Sequence, residues 1–404
     1  MKTLFAPYIE VLRPQHHASI ALGGFLARVP AAILGFATFL LFQRTTDSFA
    51  LGGLVSGVVI ATGAVMGPVL GRLADRHGQR RLLRIFAVTH LLSVLLLVIA
   101  GHAHVPALLF VVLAGIAGAT VAPIGSFTRA RWSHRYGDAP QLKTAFALEA
   151  ILDEMVWIIG PAVAALIAAA VDPAVGLVLS GACGFAGSLI LAAQRATDTP
   201  PHEPDTEVRR PGFTPLGSAR LMAVLIAGFV VGVSFGVDNV SAVAISQRDG
   251  VPELAGVILS VYSVGSILGG FVLGALPDRL SPFRLFVATA LFLAVAFAPL
   301  AFAPDTIWIM VFGFFAGAAV TPYTVGANRA VEALVPRRVV TEALSWANTA
   351  ILAGMALGGP LGGLVVDAAG PRAGYLAVSG LCLLPVLVAL TAAFGSRRAR
   401  PEDA

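Results

Sequence analysis

The chain has 404 residues, 57% of them hydrophobic and only 12% charged, with a mean hydropathy of +0.86. A soluble globular protein carries roughly 25% charged residues, so too little charge is present to cover a water-soluble body of this size. The net charge of +5 would suit a nucleic-acid partner only if the basic residues were clustered for one, and they are spread as topology signals instead.

Apolar blocks of about 18–25 residues recur along the chain, each long enough to cross about 30 Å of hydrocarbon as a helix. In chain order they predict twelve spans, at 19–42, 50–71, 82–101, 105–127, 143–170, 173–193, 220–244, 252–276, 284–303, 306–328, 342–366 and 372–395. Lys2 and Arg13 precede the first block. That block is too long for a signal-peptide core and has no convincing small-residue cleavage site, so it reads as a span. The one long polar stretch, 194–219, contains Thr199-Pro200-Pro201-His202-Glu203-Pro204-Asp205 and reads as a cytoplasmic linker. It divides a six-span half, 1–193, from a second, 220–404. Cys183 and Cys382 sit inside apolar blocks and offer neither a metal spacing nor a disulfide framework.

With twelve spans both termini share a side. Of the 27 Lys and Arg residues, 23 fall on that side, Arg44, Arg248 and Arg372 fall opposite, and Arg28 lies within the first span. The positive-inside bias places both termini and the linker in the cytoplasm, in a multi-pass protein of the cell (inner or plasma) membrane.

The halves resemble each other. Gly71-Arg72-Leu73-Ala74-Asp75-Arg76 ends span 2, and Gly274-Ala275-Leu276-Pro277-Asp278-Arg279 ends span 8, 203 positions later. Gly118 to Pro123 reads GATVAP and Gly317 to Pro322 reads GAAVTP, at an offset of 199. Gly160-Pro161 in span 5 meets Gly359-Pro360 in span 11 at the same offset. Two parallel six-span repeats are the build of a rocking transporter.

The run Gly71-Arg72-Leu73-Ala74-Asp75-Arg76-His77-Gly78-Gln79-Arg80-Arg81 resembles the signature between spans 2 and 3 of the major facilitator superfamily. Gly274 to Arg279 is similar to its degenerate second copy, and the resemblance runs the length of the chain in span count, linker and repeat. It implies an all-α membrane protein of twelve transmembrane helices in two pseudo-symmetric six-helix bundles. It also implies that Gly71, Arg72, Asp75, Arg76, Gly78, Arg80, Asp278 and Arg279 form a gating motif. In that reading Gly71 permits close helix approach, and Asp75 pairs with arginines and a helix N-terminus to latch one state. Gly160-Pro161 resembles part of the drug–proton antiporter motif, although Val156, Ala164 and Ala165 stand where further glycines belong. Span 11 carries a fuller version in Gly354, Gly359-Pro360, Gly362 and Gly363. Gly160, Pro161, Gly359 and Pro360 are read as helix-packing residues. The arginine usual within span 4 of many antiporters is missing from Leu113 to Ala122.

Ionisable groups at membrane depth are costly and mark function by default. Span 5 holds Glu149, Asp153 and Glu154. Glu149 and Asp153 are four apart and share a face, whereas Asp153 and Glu154 cannot both face one way. Three acids within six residues cannot all keep their charge in a low-dielectric setting. Arg28 lies at about the same depth as Glu149, counting about 1.5 Å per residue, so the two can pair. The pair reads either as a fixed strut or, with Asp153 and Glu154, as a proton-coupling group. Arg129 and Arg131 close span 4 as basic anchors, with a lesser prospect of reaching Glu149. At offset 199, Asn348, Leu352 and Ala353 replace the three acids in the second half. That half has Asp238 in span 7, beside Asn239, with Gly35 as its counterpart at offset 203. Asp238 reads either as a ligand for a cationic or hydroxylated substrate or as a hydrogen bond between helices. Asn348, Tyr323, Thr324, Asn328, Trp157 and Trp346 complete the candidate substrate pocket.

Nothing in the sequence resembles a nucleotide loop, a catalytic triad or a metal-ligand set, so an enzyme is not expected. The expected function is secondary active transport by alternating access, a proton-coupled efflux of drug-like or secondary-metabolite molecules. The alternative is a proton-coupled or facilitative importer of a small nutrient such as a sugar or organic acid. The expected partners are a small-molecule substrate and the lipid bilayer, with no nucleic acid, no cofactor beyond the coupling proton, and a monomeric state.

Overall fold

The computed structural model describes residues 8–13, 17–103, 105–137, 139, 141–195, 197, 218–276, 280–336 and 340–394. Among these residues the fold is all-helical, with twelve helices long and apolar enough to cross a membrane. Spans 1 to 3 are His17–Thr46, Phe49–His77 and Gln79–His102. Span 4 comes in two pieces, Ala107–Ala119 and Ile124–Tyr136. Spans 5 to 8 are Gln141–Ala170, Pro173–Ala193, Ala219–Arg248 and Leu254–Ala275. Span 9 is Pro282–Phe297, continued by a 3-10 segment over Ala298–Phe302. Spans 10 and 11 are Thr306–Glu332 and Val340–Ala369, and span 12 is Pro371–Leu381 followed by Leu384–Phe394. Each expected span is present. Spans 1, 2, 4, 7 and 10 stay helical for a turn or more beyond their apolar blocks, because a helix satisfies its own backbone into the polar headgroup layer.

Local chemistry sets several helix starts. Pro173, Pro282 and Pro371 open spans 6, 9 and 12, where a missing N–H costs nothing. Asp172 accepts from the Ala174 amide, Ser218 from Leu221, and Asp305 from both Ile307 and Trp308. The break in span 4 has an equally local cause. Pro123 has no N–H to give, Val121 turns its amide to Gly118, and the Thr120 hydroxyl donates to the Ala117 carbonyl at 2.8 Å. The repeat mate in span 10 runs helically through Pro322.

Contacts divide the chain into two compact units, one of Met1–Thr45 with Ala61–Val208, the other of Thr46–Ile60 with Arg209–Ala404. In the first, Leu82, Leu83, Phe86, Ile124, Phe127, Trp132 and Leu191 form a buried core. A methyl group added at Gly187 of span 6 would overlap the backbone of Ala27 and Gly23 in span 1. In the second unit, Gly232 and Gly236 of span 7 meet Gly354 and Gly358 of span 11 in a glycine seam. A Cβ at Gly232 would collide with the Ile351 carbonyl and one at Gly354 with that of Phe229. Small residues at four-residue spacing let two backbones touch, which is how helices associate where lipid is as apolar as they are. Gly53 and Gly57 pack in the same way against Gly359 and Ala356. Asp367 accepts from the Ser48 hydroxyl and the Phe49 and Ala50 amides at 2.9–3.2 Å, capping the first turn of span 2.

These seams make a direct prediction. Gly354→Val should lower stability by about 1–3 kcal/mol or more through overpacking, read as a fall in the thermal unfolding midpoint in detergent. Gly71→Ala, at a position where an added Cβ meets no described atom, should leave that midpoint unchanged.

Candidate functional site

Span 1 is buried along most of its length; Arg44 lies in its last turn, and Arg28, deep within it, is only 5% exposed. Gly24, one turn earlier, leaves room for the guanidinium, since a Cβ there would lie 2.7 Å from Arg28 Nη1. Across from it, Gly125 opens the second piece of span 4 in the same manner, beside Arg28, Arg129 and Asp153. Into this space span 5 projects Glu149 and Asp153 from adjacent turns.

Glu149 is fully buried and receives three donors. Arg28 Nη2 bonds Oε2, the Thr128 hydroxyl donates to Oε2 at 2.6 Å, and Trp132 Nε1 donates to Oε1 at 2.7 Å. Arg28 Nη2 also donates to Thr128 Oγ1 at 2.7 Å. Its Nε lies 2.6 Å from Asp153 Oδ1, and Arg129 Nη2 lies 2.6 Å from Asp153 Oδ2. Two acids thus alternate with two arginines in a chain: Glu149, Arg28, Asp153, Arg129. A buried ion pair is tolerated only when its remaining polar atoms are also met, and Thr128 and Trp132 meet those of Glu149.

The expected pairing of Arg28 with Glu149 is present, and Asp153 joins it. Glu154 is exposed and shares none of these contacts, because one residue of helix turns it about 100° away. Arg129 reaches Asp153, not Glu149. Arg131 points elsewhere, to Gln79 at 3.0 Å and the Leu191 carbonyl at 2.9 Å. Thr128 and Trp132 were not anticipated. An expected end of span 4 at residue 127 left them outside the membrane helix, yet their four-residue spacing is the signal that would have put them on one face.

Seven of the eight candidate pocket residues lie in the second unit, and Trp157 lies in the first. Asp238 is 4% exposed, with Tyr262 donating to its Oδ1 at 3.1 Å. Asn239 is half-buried on the next face. Tyr323 is a core residue, 1% exposed, its ring 5.9 Å from that of Phe286. Span 10 turns Tyr323 inward, while Thr324 and Asn328 are half-buried. The Thr324 hydroxyl returns to the Val320 carbonyl at 3.1 Å. Trp346 and Asn348 stand exposed on span 11, and Trp157 is exposed in the first unit.

A family model for the Major Facilitator Superfamily matches residues 20–252 and again 224–404. The chain belongs to the Major Facilitator Superfamily. No curated protein matches it in sequence. Among solved structures, the nucleoside transporter NupG superposes with a TM-score of 0.74 at 15% identity, covering 95% of this chain and 99% of that one. A bacterial homologue of the iron transporter ferroportin, inward-facing, gives 0.72 at 11%, covering 93% and 98%. A bacterial homolog of the human lysosomal transporter Spinster, inward-facing and unoccupied, gives 0.70 at 16%, covering 97% of each. At these identities the likeness is one of fold. Family and fold make the chain a multi-pass membrane transporter of a small-molecule substrate, and not an enzyme.

The superfamily signature is only partly described. The Asp75 side chain, and Asp278 and Arg279 altogether, lie outside the described residues. Gly78 adopts φ 82°, a backbone region that favours glycine, and from there span 3 begins. Arg80 Nε donates to the Ala192 carbonyl at 2.9 Å, tying span 3 to span 6. Arg72 folds back on the Pro68 carbonyl at 3.3 Å, and Arg76 is exposed. Close helix approach at Gly71 is not seen among the described residues; in span 2 the tight contacts fall at Gly53 and Gly57 instead. Gly160 packs against Ala32 and Ile33 of span 1, and Gly359-Pro360 against Gly53. Cys183 and Cys382 are free thiols.

The buried chain of charges carries its own test. Arg28→Met leaves Glu149 buried without a cation and should cost about 3–5 kcal/mol, seen as a lowered unfolding midpoint. Adding Glu149→Gln to that variant should recover a substantial part. A double variant no more stable than Arg28→Met would mean the two residues are not energetically coupled.

Proposed function

We propose that this chain is a proton-coupled secondary active transporter that exports drug-like or secondary-metabolite molecules across the cell membrane by alternating access, with both termini cytoplasmic. The observation that carries the reading is Arg28 held between two carboxylates that differ in access. Glu149 is sealed, at 0% exposure, whereas Asp153 is 32% exposed. A proton arriving on Asp153 weakens its hold on both Arg28 and Arg129, leaving Arg28 to Glu149 alone. Removing that proton restores the four-membered chain. Two arrangements of one charge network, selected by a proton, are what a coupled carrier requires. Gly160 supports a role in movement: it sits against Ala32, one turn from Arg28, so spans 1 and 5 meet closely beside the network. The export direction rests on the partial antiporter motif at Gly160-Pro161, and the orientation on 23 of 27 basic residues lying on the terminal side.

A thermal-shift screen with dyes, antibiotics and sugars supplies a transported probe. In proteoliposomes, Glu149→Gln and Asp153→Asn should lose gradient-driven uphill flux of that probe and keep its binding and downhill exchange. If both variants answer an imposed pH gradient as the parent does, the network is structural. Uphill movement of the probe into the cell-equivalent compartment would reverse the direction. For the orientation, a tag on the C-terminus should be reached by a membrane-impermeant label only after the cells are opened.

A further inference from the structure

In the twelve-span topology Arg44, Arg248 and Arg372 are the basic residues on the side away from the termini. Two of these three meet at one atom of the second unit. Arg248 closes span 7, and Arg372 stands in the first turn of span 12. Arg248 Nη2 donates to the Pro304 carbonyl at 2.9 Å, and Arg372 Nη2 donates to the same carbonyl at 3.4 Å. Two guanidinium groups gathered on one neutral oxygen repel each other, and an anion set between them relieves that repulsion. The acids at this corner are engaged elsewhere. Asp249 holds Arg248 at 2.8 Å and accepts from the Thr306 amide and hydroxyl, each at 2.8 Å. Asp305 accepts from the Ile307 and Trp308 amides at the start of span 10. Among the described residues, no carboxylate lies within ion-pair distance of Arg372.

Pro304 also lines an apolar groove of about 480 Å³, with Val295, Phe302, Trp308 and Phe312. Its shape has a local cause. At Ala298, itself exposed on the groove, span 9 leaves the α-helix for a 3-10 segment. The tighter winding ends with Phe302 standing out, 81% exposed, while Val295 is 62% exposed. Trp308 and Phe312 face them as a ring pair with centroids 5.3 Å apart. Among the described residues, no charged side chain lines the groove. From Val295 to Phe302 the chain rises roughly 10 Å, about two-thirds of one leaflet of a hydrocarbon core some 30 Å thick.

We propose that this corner of the second unit binds one anionic phospholipid, its phosphate between Arg248 and Arg372 and one acyl chain in the groove of spans 9 and 10. Arginine's planar fork fits phosphate oxygens, and a basic pocket beside apolar helix faces is a headgroup site. Trp308, at the start of span 10, stands at the depth where indoles favour the membrane interface. A free anion has no use for the groove, and a zwitterionic lipid brings no net charge for the arginines. The site is separate from the Arg28 network and independent of what the chain transports.

The test reads lipid contact at Trp308 itself. The full chain is placed in phosphatidylcholine nanodiscs with a minor fraction of phosphatidylglycerol, and acyl chains that quench tryptophan through bromine are carried by one lipid or the other at equal mole fraction. Brominated phosphatidylglycerol should quench the parent more than brominated phosphatidylcholine does. Trp308→Phe should remove that excess. Arg372→Gln should raise the phosphatidylglycerol fraction needed for half of it by about fivefold. Ala298→Phe, which fills the groove from an exposed position, should abolish it. Arg84→Gln, exposed near the start of span 3 on the side of the termini, should leave it as it is. Equal quenching by the two lipids overturns the proposal, as does an excess that survives in Trp308→Phe or is unaltered in Arg372→Gln. An excess removed by soluble glycerol 3-phosphate would make this a site for a free phosphate, and also overturns it. So does a parent dimer that Ala298→Phe dissociates while the excess persists, because the groove then belongs to a second copy.

Discussion

In hydrocarbon no water is at hand to satisfy a polar group, so each must find its partner within the protein. Most of what is distinctive in this chain follows from that constraint. It makes the fold helical, because a helix closes its own backbone bonds. It gathers Arg28, Glu149, Asp153 and Arg129 into one chain of charges, and it recruits Thr128 and Trp132 to finish Glu149. It also leaves the packing between helices to shape, since burial of apolar surface brings no gain against lipid. Hence the glycine seam between spans 7 and 11, where backbones come together without side chains between them.

The two halves solve the same problem differently on one frame. At the 199-residue offset, Thr128, Arg129, Trp132 and Glu149 correspond to Ala327, Asn328, Val331 and Asn348. Every member of the first network has a mate without charge. The second half concentrates its polarity around Asp238 instead, on a helix whose counterpart carries Arg28. On one repeated scaffold, each half carries its membrane-depth ionisable groups where the other has none. A frame whose helices are held by glycine contacts can tolerate such exchange, because the seams do not involve the exchanged positions.

Much of the fold was legible. Span number, order and repeat follow from block length and from three recurring short runs, all properties that a linear string displays. The pairing of Arg28 with Glu149 was legible as well, since depth in a helix is proportional to residue count. What was hidden lay at helix ends and on faces. Thr128 and Trp132 sit in a polar continuation of span 4 that hydropathy cuts off. The burial of Tyr323 was hidden too, because a tyrosine's facing depends on the crossing angle of span 10, which no spacing rule contains. The seam of Gly232 and Gly236 is visible as a four-residue spacing, but its partner could be named only from the packed structure.

The interruption at residues 121–123 has a consequence for how the first network can vary. A continuous helix transmits rotation: turning its first end by one residue would swing Thr128 and Trp132 about 100° away from Glu149. Span 4 is jointed there instead, with Ile124–Tyr136 starting afresh after Pro123. The angular phase of the second piece is thereby decoupled from that of Ala107–Ala119. The first piece is free to accumulate insertions, altered tilt or new lipid-facing residues while the second keeps its register. The joint works as a mechanical insulator, and the uninterrupted span 10, which guards no such cluster, has no use for one.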